Sequence, residues 1–472
     1  MSRSKLIISA IRTPANQRSL KQKVMLSGLL SGATFIFVSA LRLISTIILT
    51  RILAPDIFGT FAVLLSILFV LTMFSDLGIR SLILTREESG LDVDFLRSCW
   101  TLQILRGGLL GIIILIIAGI IILLQNTGIL LETSGYADPV LPATIGLSAL
   151  SFLILGFEIP NKYIYEREMN FGILSVKEVI LAIFSLVVVV SLALYLKNIW
   201  ALVFASIISA AIQVFLSLVM FRGPAMQLTW HKEHIRVIFL RARWIISHSA
   251  LTAITNVADR LIIGVFVSAS DFGYYHIARQ LIDMPTLLLN KIHSQVGLQL
   301  FSEIHKHETL DHFRADYYKY RQFFDTASMI GCGMLFVLAP LLIEIVYDAR
   351  YEPVAHILQV LALGLPLSGF VVLREAFSAQ RRFKKMTVLS IVQAASVWVG
   401  LLLALPVLHS TQAAFWVVSL HRTPEILLLL IMGRQEKWVL WKKEFRYVPL
   451  IFAGMGIGWL MDVVARNLLS IF

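Results

Sequence analysis

Five charged residues stand inside two apolar runs between Arg243 and Leu300. The runs, Trp244–Val267 and Phe272–Leu298, are joined by the polar corner Ser268-Ala-Ser-Asp271. Each is long enough to cross a hydrocarbon layer, which takes about 20 helical residues. Yet Asp259 and Arg260 sit near the middle of the first, and Arg279, Asp283 and Lys291 interrupt the second. A charge at that depth costs on the order of 2.5–3.5 kcal/mol on insertion scales, so it is kept where it faces a bundle interior or a wet cavity. A guanidinium there presents a planar fork matched to phosphate, and a carboxylate can pair with it or carry a proton. The hairpin reads as half the lining of a transport path.

The elements that would hold these residues follow from composition. The chain of 472 residues is 58% hydrophobic and only 15% charged, against about 25% charged in a soluble domain. It is an all-α, polytopic membrane protein, because the apolar runs are continuous rather than alternating and so exclude a barrel. Spans are predicted near 24–50, 57–79, 99–124, 142–160, 173–195 and 199–221, then 244–267, 272–298, 322–347, 354–378, 387–408 and 412–433. A candidate thirteenth lies at 448–464, short and weakened by Asp462. The implied organisation is a basic cytoplasmic segment (1–23), a six-helix bundle (24–221), a cytoplasmic linker (222–243), a second six-helix bundle (244–433) and a C-terminal segment (434–472).

The formal charge of +12 needs no nucleic acid to explain it. With the N-terminus placed inside, most of the 41 Lys and Arg fall on cytoplasmic segments, and only Arg51, Lys197, Arg350 and Arg466 fall outside. That is the positive-inside pattern of a multi-pass protein. Residues 1–23 are not a cleaved signal peptide and read as an in-plane helix on anionic lipid headgroups or as a basic tail that enforces orientation. Cys99 and Cys332 fall at or within spans and offer no disulfide framework. The inner loop bearing Glu303, His305, His307, Glu308, Asp311 and His312 reads as solvated rather than as a zinc site. No nucleotide-binding loop is present, and no cofactor is expected.

An internal repeat underlies the two bundles. Ala54-Pro-Asp-Ile-Phe-Gly-Thr-Phe-Ala62, at the corner between the first two spans, aligns with Ser268-Ala-Ser-Asp-Phe-Gly-Tyr-Tyr-His276, pairing Phe58-Gly59 with Phe272-Gly273. An even number of spans intervenes, so both copies have the same orientation, as in parallel-repeat transporters. A substrate cleft is expected between the bundles.

Basic residues within spans are Arg42, Arg106, Arg260, Arg279, Lys291, Arg374 and Arg422; acids at comparable depth are Asp76, Asp259, Asp283, Asp325, Glu375 and Glu425. Arg279 with Asp283, and Arg422 with Glu425, each share a helix face. Asp259 and Arg260 are adjacent and cannot, so at least one must find a partner on another helix. Excess positive charge suits an anionic substrate, with Arg42, Arg106, Asp259, Arg260, Arg279, Asp283 and Arg422 as candidates to touch it. Asp76, Asp259, Asp283 and Glu425 are candidates for ion coupling. The competing reading is that these charges only lock helices together, and that Lys291, Arg374 and Glu375 snorkel from span ends. Pro285, Pro340, Pro366 and Pro406 are expected to kink spans. Gly107, Gly108 and Gly111 are expected to let helices approach closely.

Leu49-Thr-Arg-Ile-Leu-Ala-Pro-Asp-Ile-Phe-Gly-Thr-Phe-Ala62 and Phe74-Ser-Asp-Leu-Gly-Ile79 resemble the opening of the Wzx-type polysaccharide flippases of the MATE-like MOP superfamily. Asn256-Val-Ala-Asp-Arg-Leu-Ile-Ile-Gly264 with Phe272-Gly-Tyr-Tyr-His-Ile-Ala278 is similar to that family's seventh and eighth spans, and Ile343 to Leu363 to its ninth and tenth. Gly297-Leu-Gln-Leu-Phe301 departs from it, since the family often has proline soon after the eighth span. The resemblance implies a flippase that carries an undecaprenyl-diphosphate-linked oligosaccharide across the bacterial inner membrane by alternating access, for O-antigen, exopolysaccharide or capsule. Its partners would be membrane lipids and the polysaccharide polymerase and chain-length machinery, and spans 1, 2, 7 and 8 would line its cavity. The nearest rival, a cation-coupled multidrug or other lipid exporter of the same fold, calls for a cavity dominated by acids. A polysaccharide polymerase or ligase would need outer loops longer than these, and a non-transporting scaffold would move no headgroup.

Overall fold

Apolar segments near 20 residues long, with few helix breakers, dictate helices of membrane-crossing length. The computed structural model describes residues 20–86, 92–128, 134–292, 310–380 and 382–469, and every element within them is helical. Ten helical stretches among the described residues are long and apolar enough to span, and Leu141–Gly156 is a shorter apolar helix. The terminal stretch Leu450–Leu468 is one of the ten, so the candidate thirteenth span is a helix of spanning length. Predicted spans 7 and 8 are not among them: a break divides the first, and polar and charged residues dilute the second. The basic residues before position 20 and the acidic and histidine-bearing loop up to Glu308 lie outside the described residues.

The first compact unit runs to Ile254. Its helices are α1 (Leu20–Ile52), α2 (Pro55–Phe74), α3 (Ile79–Thr85), α4 (Val93–Asn126), α5 (Leu141–Gly156), α6 (Lys162–Arg167), α7 (Phe171–Leu196), α8 (Ile199–Met220) and α9 (Lys232–Asn256). Helix α7 packs on α1 and α8, and α5 on α4 and α8. Of the three glycines of α4 expected to admit a close neighbour, Gly107 and Gly111 meet α5 and Gly108 does not. A Cβ at Gly107 would sit 2.6 Å from Phe152 O and 3.0 Å from Gly156 Cα, whereas Gly108 faces open space. Helix α9 begins inside the segment expected as a linker. Ile235 and Ile238, three apart on one face, are buried with Phe95, Cys99, Leu102, Ile79 and Ile83.

The second unit comprises Thr255–Phe472 with Thr133–Gly135. Its helices are α10 (Ala258–Phe266), α11 (Ala269–Ile292), α12 (Leu310–Val346), α13 (Pro353–Ala362), α14 (Val371–Ala379), α15 (Phe383–Ala404), α16 (Thr411–Leu420), α17 (Thr423–Gln435), α18 (Trp441–Glu444) and α19 (Leu450–Leu469). Three predicted spans are discontinuous here. The seventh breaks at Val257, between α9 and α10. The tenth breaks at the 3-10 segment Leu365–Phe370, which contains Pro366. The twelfth breaks at His421 and Arg422, where Pro424 starts α17. Proline lacks an N–H and clashes with the preceding turn, so Pro366 and Pro424 mark breaks rather than kinks. Pro406 does not kink a span either, because α15 has already ended at Ala404. Pro285 and Pro340 do lie inside helices α11 and α12.

The two stretches aligned in the sequence as a repeat each open a helix at the same position. Phe58-Gly59 and Phe272-Gly273 are the fourth and fifth residues of α2 and α11, and all four are buried. The start of α11 is capped by Ser268, whose Oγ accepts from Asp271 N at 3.1 Å and donates to Asp271 Oδ2 at 2.7 Å.

Helix α19 belongs to the second unit through close backbone packing on α12. A Cβ at Gly333 would run into Ile451 O, one at Gly454 into Ile330 O, and one at Gly458 would sit 3.0 Å from Met334 O. Three glycines on one seam allow what any larger residue forbids. We expect Gly454→Leu to separate α19 from α12 and to lower the thermal midpoint of the detergent-purified protein, at a cost of about 1–3 kcal/mol. The open-faced Gly456→Leu should leave it unchanged. Equal midpoints for the two variants would contradict the packing described.

Candidate functional site

In the first unit, polar groups gather around three cavities. One of ≈ 500 Å³ is lined by Arg42, Arg80, Lys162, Lys177, Glu166 and Glu178, among others. One of ≈ 680 Å³ shares Arg42, Glu178 and Gln213 with it, but most of its lining is aliphatic. A third, of ≈ 270 Å³, is bordered by Asp76, Arg80, Arg106, Glu158 and Tyr163.

The scaffold of these cavities is a carboxylate shared by two lysines. Glu158 follows α5, and its Oε1 accepts from Lys177 Nζ at 2.8 Å while its Oε2 accepts from Lys162 Nζ at 2.6 Å. Gln213 of α8 adds a third donor at 3.2 Å. Glu158 and Lys177 are buried, where an unpaired charge would cost several kcal/mol. Arg80 forms a fork on Glu166, with Nε 3.0 Å from both carboxylate oxygens. Hydrogen bonding to Glu166 raises the Arg80 pKa further. Arg42 on α1 and Glu178 on α7 have no ion-pair or hydrogen-bond partner for their side chains among the described residues, although both border the same two cavities.

Arg106 and Asp76 have structural engagements as well as a cavity wall. Arg106 donates to Thr72 O and Ser75 Oγ, both at 3.0 Å, and so satisfies the carbonyl end of α2, where the helix dipole favours a cation. Asp76 Oδ1 accepts from Gly78 N at 2.9 Å and holds the turn into α3, in which Gly78 has φ +63°.

In the second unit, the broken helices bring the predicted charges together. Asp259 lies in the first turn of α10 and accepts from the hydroxyl of Tyr275 on α11. It also stands 3.7 Å from Arg279 Nε. Arg260 reaches Asp283 Oδ2 at 3.1 Å, and Arg279 reaches Asp283 Oδ1 at 3.2 Å. Both adjacent residues thus find partners on the next helix. Glu425, in the first turn of α17, takes Arg374 at 2.7 Å and Arg422 at 3.7 Å. Arg374 also donates to Ser390 Oγ at 2.9 Å. It does not snorkel, because its guanidinium is bound among α14, α15 and α17. Four arginines therefore share three acids. Asp259 and Glu425 are only 6% and 2% exposed, whereas Arg260, Arg279, Arg374 and Arg422 remain 22–29% exposed. The side chain of Lys291 lies outside the described residues.

Sequence reasoning missed Glu158, Lys162, Lys177 and Glu178, because it assigned them to a span end and an inner connection. The signal was present in Lys177-Glu178, seven residues into an otherwise apolar helix. If Glu158 holds Lys177 in place, Glu158→Gln should destabilise the detergent-purified protein by about 3–5 kcal/mol, as breaking a buried pair does. Adding Lys177→Met should recover part of that loss. Thermal midpoints that fall additively in the double variant would refute the coupling.

A family model described as polysaccharide biosynthesis protein matches residues 48–356. None of the curated protein sequences matches the chain significantly. Among solved structures, the lipid II flippase MurJ in an inward closed conformation is similar at a TM-score of 0.60 and 13% identity, over 93% of this chain and 99% of that one. An inward-facing multidrug resistance MATE family transporter of the MOP superfamily is similar at 0.64 and 12%, over 91% and 97%. A MOP superfamily transporter from Pyrococcus furiosus, whose binding pocket is described as reversed in polarity, is similar at 0.57 and 12%, over 87% and 95%. At these identities the likeness shows the fold alone, while the matched family model covers well over half of the sequence. The chain is a multi-pass membrane protein and belongs to the polysaccharide biosynthesis protein family.

Proposed function

We propose that the protein is a flippase that moves a lipid-linked oligosaccharide, carried on undecaprenyl diphosphate, from the cytoplasmic to the periplasmic leaflet of a bacterial inner membrane by alternating access. The observation that carries this reading is the excess of arginines over acids in the ion-pair clusters at the broken helices. It is seen in the second unit, where Arg260, Arg279, Arg374 and Arg422 share Asp259, Asp283 and Glu425. In the first unit, Arg42 borders two cavities beside Glu178, and neither side chain has an ion-pair partner among the described residues.

A diphosphate offers more acceptor oxygens than one carboxylate, and guanidinium groups match it bidentately. On entry it would compete with Asp283 and Glu425 for the arginines they share, and the released acids could then take up a proton or a metal cation. With the N-terminus inside, an inside-negative potential pushes an anionic headgroup outward by about 2.3 kcal/mol per charge per 100 mV. O-antigen, exopolysaccharide or capsule would be the product, and the polymerase and chain-length machinery would receive the flipped unit. A multidrug exporter of the same fold calls for acids without such a surplus of arginines.

The test is headgroup translocation in proteoliposomes, using a fluorescent polyprenyl-diphosphate oligosaccharide and an impermeant quencher. The wild type should move the headgroup, and Arg42→Ala and Arg422→Ala should each slow it about 10-fold or more, in line with losing one charge-assisted hydrogen bond. Wild-type rates in both variants, or no movement by the wild type, would defeat the reading.

A further inference from the structure

The paired cavities of the first unit differ in chemistry, and the difference has the shape of an amphiphile. The ≈ 680 Å³ cavity lies among α1, α2, α5, α7 and α8, with walls that include Leu49, Leu64, Leu155, Leu186, Val189 and Leu202. The ≈ 500 Å³ cavity carries Arg42, Arg80, Lys162 and Lys177 against Glu166 and Glu178. Arg42, Glu178, Gln213 and Val38 border both, so the apolar and charged spaces meet at Glu178 and at Arg42, whose guanidinium has no ion-pair partner among the described residues. Close-packed protein interiors leave few voids larger than a water molecule. An apolar cavity as small as about 150 Å³ stays dry and takes up hydrocarbon, and this one is several times larger.

We propose that the first unit binds the junction of the lipid substrate, with the diphosphate beside Arg42 in the charged cavity and the proximal isoprene units of the same molecule in the aliphatic one. The proposal rests on the flippase reading and adds to it a site for the chain. A free diphosphate would use only the charged half, and a neutral isoprenoid only the apolar half. Joining the two in one molecule adds their contributions without a second loss of translational freedom. Arg42 fixes the register, because it stands where the head meets the chain. A polyisoprenyl diphosphate carries one chain per headgroup, which suits a single cleft bordered by five helices, and this favours it over a two-chain phospholipid.

Binding to the purified full-length protein tests this, with farnesyl diphosphate, inorganic diphosphate, farnesol and dihexanoyl phosphatidylglycerol as probes. The wild type should bind farnesyl diphosphate about 50-fold tighter than inorganic diphosphate, as burying several methylene groups would give. Ser209→Phe, which fills the aliphatic cavity, should remove that advantage and leave inorganic diphosphate binding intact. Ser206→Phe fills the same space from the next turn and serves if the first variant does not fold. Arg42→Gln should weaken both diphosphates about 10-fold and leave farnesol unchanged. Wild-type affinity for farnesyl diphosphate in a folded cavity-filling variant would overturn the proposal, as would equal binding of the phosphatidylglycerol. If such a variant also translocates headgroups normally, the chain site alone is wrong. If the wild-type protein translocates none, the flippase reading itself fails.

Discussion

One carboxylate held between two cations is the arrangement on which this structure depends. Glu158 sits between Lys162 and Lys177, Asp283 between Arg260 and Arg279, and Glu425 between Arg374 and Arg422. At the end of α17, Glu436 is held by Lys385 at 2.6 Å and by Arg382. There the Lys385 hydrogen bond, with Arg382, keeps the carboxylate below its ordinary pKa range. Where one acid serves two bases, as Glu425 does, one positive charge is left over in a site where a lone charge would be prohibitive. Asp259, by contrast, completes the balance of Arg260 and Arg279. Arg321 is the inverse case. It is fully buried between Asp325 and Glu444, with its guanidinium 4.1 Å from the Phe370 ring centre, and it fastens α12 to α18.

Helix breaks supply the other half of the arrangement. Asp259 and Glu425 each fall in the first turn of a helix that restarts in mid-span, where the exposed N–H groups and the dipole favour a negative charge. The break between α13 and α14 places Arg374 just after its own restart, within reach of Glu425. The ends are knitted together, since Ser419 of α16 donates to Val360 O at 2.7 Å and a Cβ at Gly364 would stand 2.6 Å from Ser419 O. Irregular backbone at membrane depth is tolerated only where protein or a cavity satisfies it, and here Asp259 Oδ1 accepts from Arg260 N at 2.9 Å while Ser419 Oγ donates to Val360 O.

Much of this was legible in the sequence. Hydropathy gave the helical class, and the adjacency of Asp259 and Arg260 required a partner on another helix, which Asp283 and Arg279 provide. The small residues of α4 pointed to a close helix approach, which Gly107 makes against Phe152 and Gly156. What hydropathy could not give were the breaks, because a window average treats Asn256-Val-Ala and His421-Arg-Thr-Pro as minor dips in long apolar runs. Glu158, Lys162 and Lys177 were hidden for a related reason. Charges near a predicted span end are ordinarily solvated, and only the three-dimensional packing of α5, α6 and α7 shows that these are not.

The central claim is that the positive charge left over by shared carboxylates selects an anionic lipid headgroup. The most direct measurement is the affinity of the purified protein for a polyprenyl diphosphate against the corresponding polyprenol, identical except for the phosphates. Two charge-assisted hydrogen bonds should make the diphosphate bind about 100-fold tighter at low salt, with the advantage shrinking as ionic strength rises. Equal affinities for the two lipids would contradict the account.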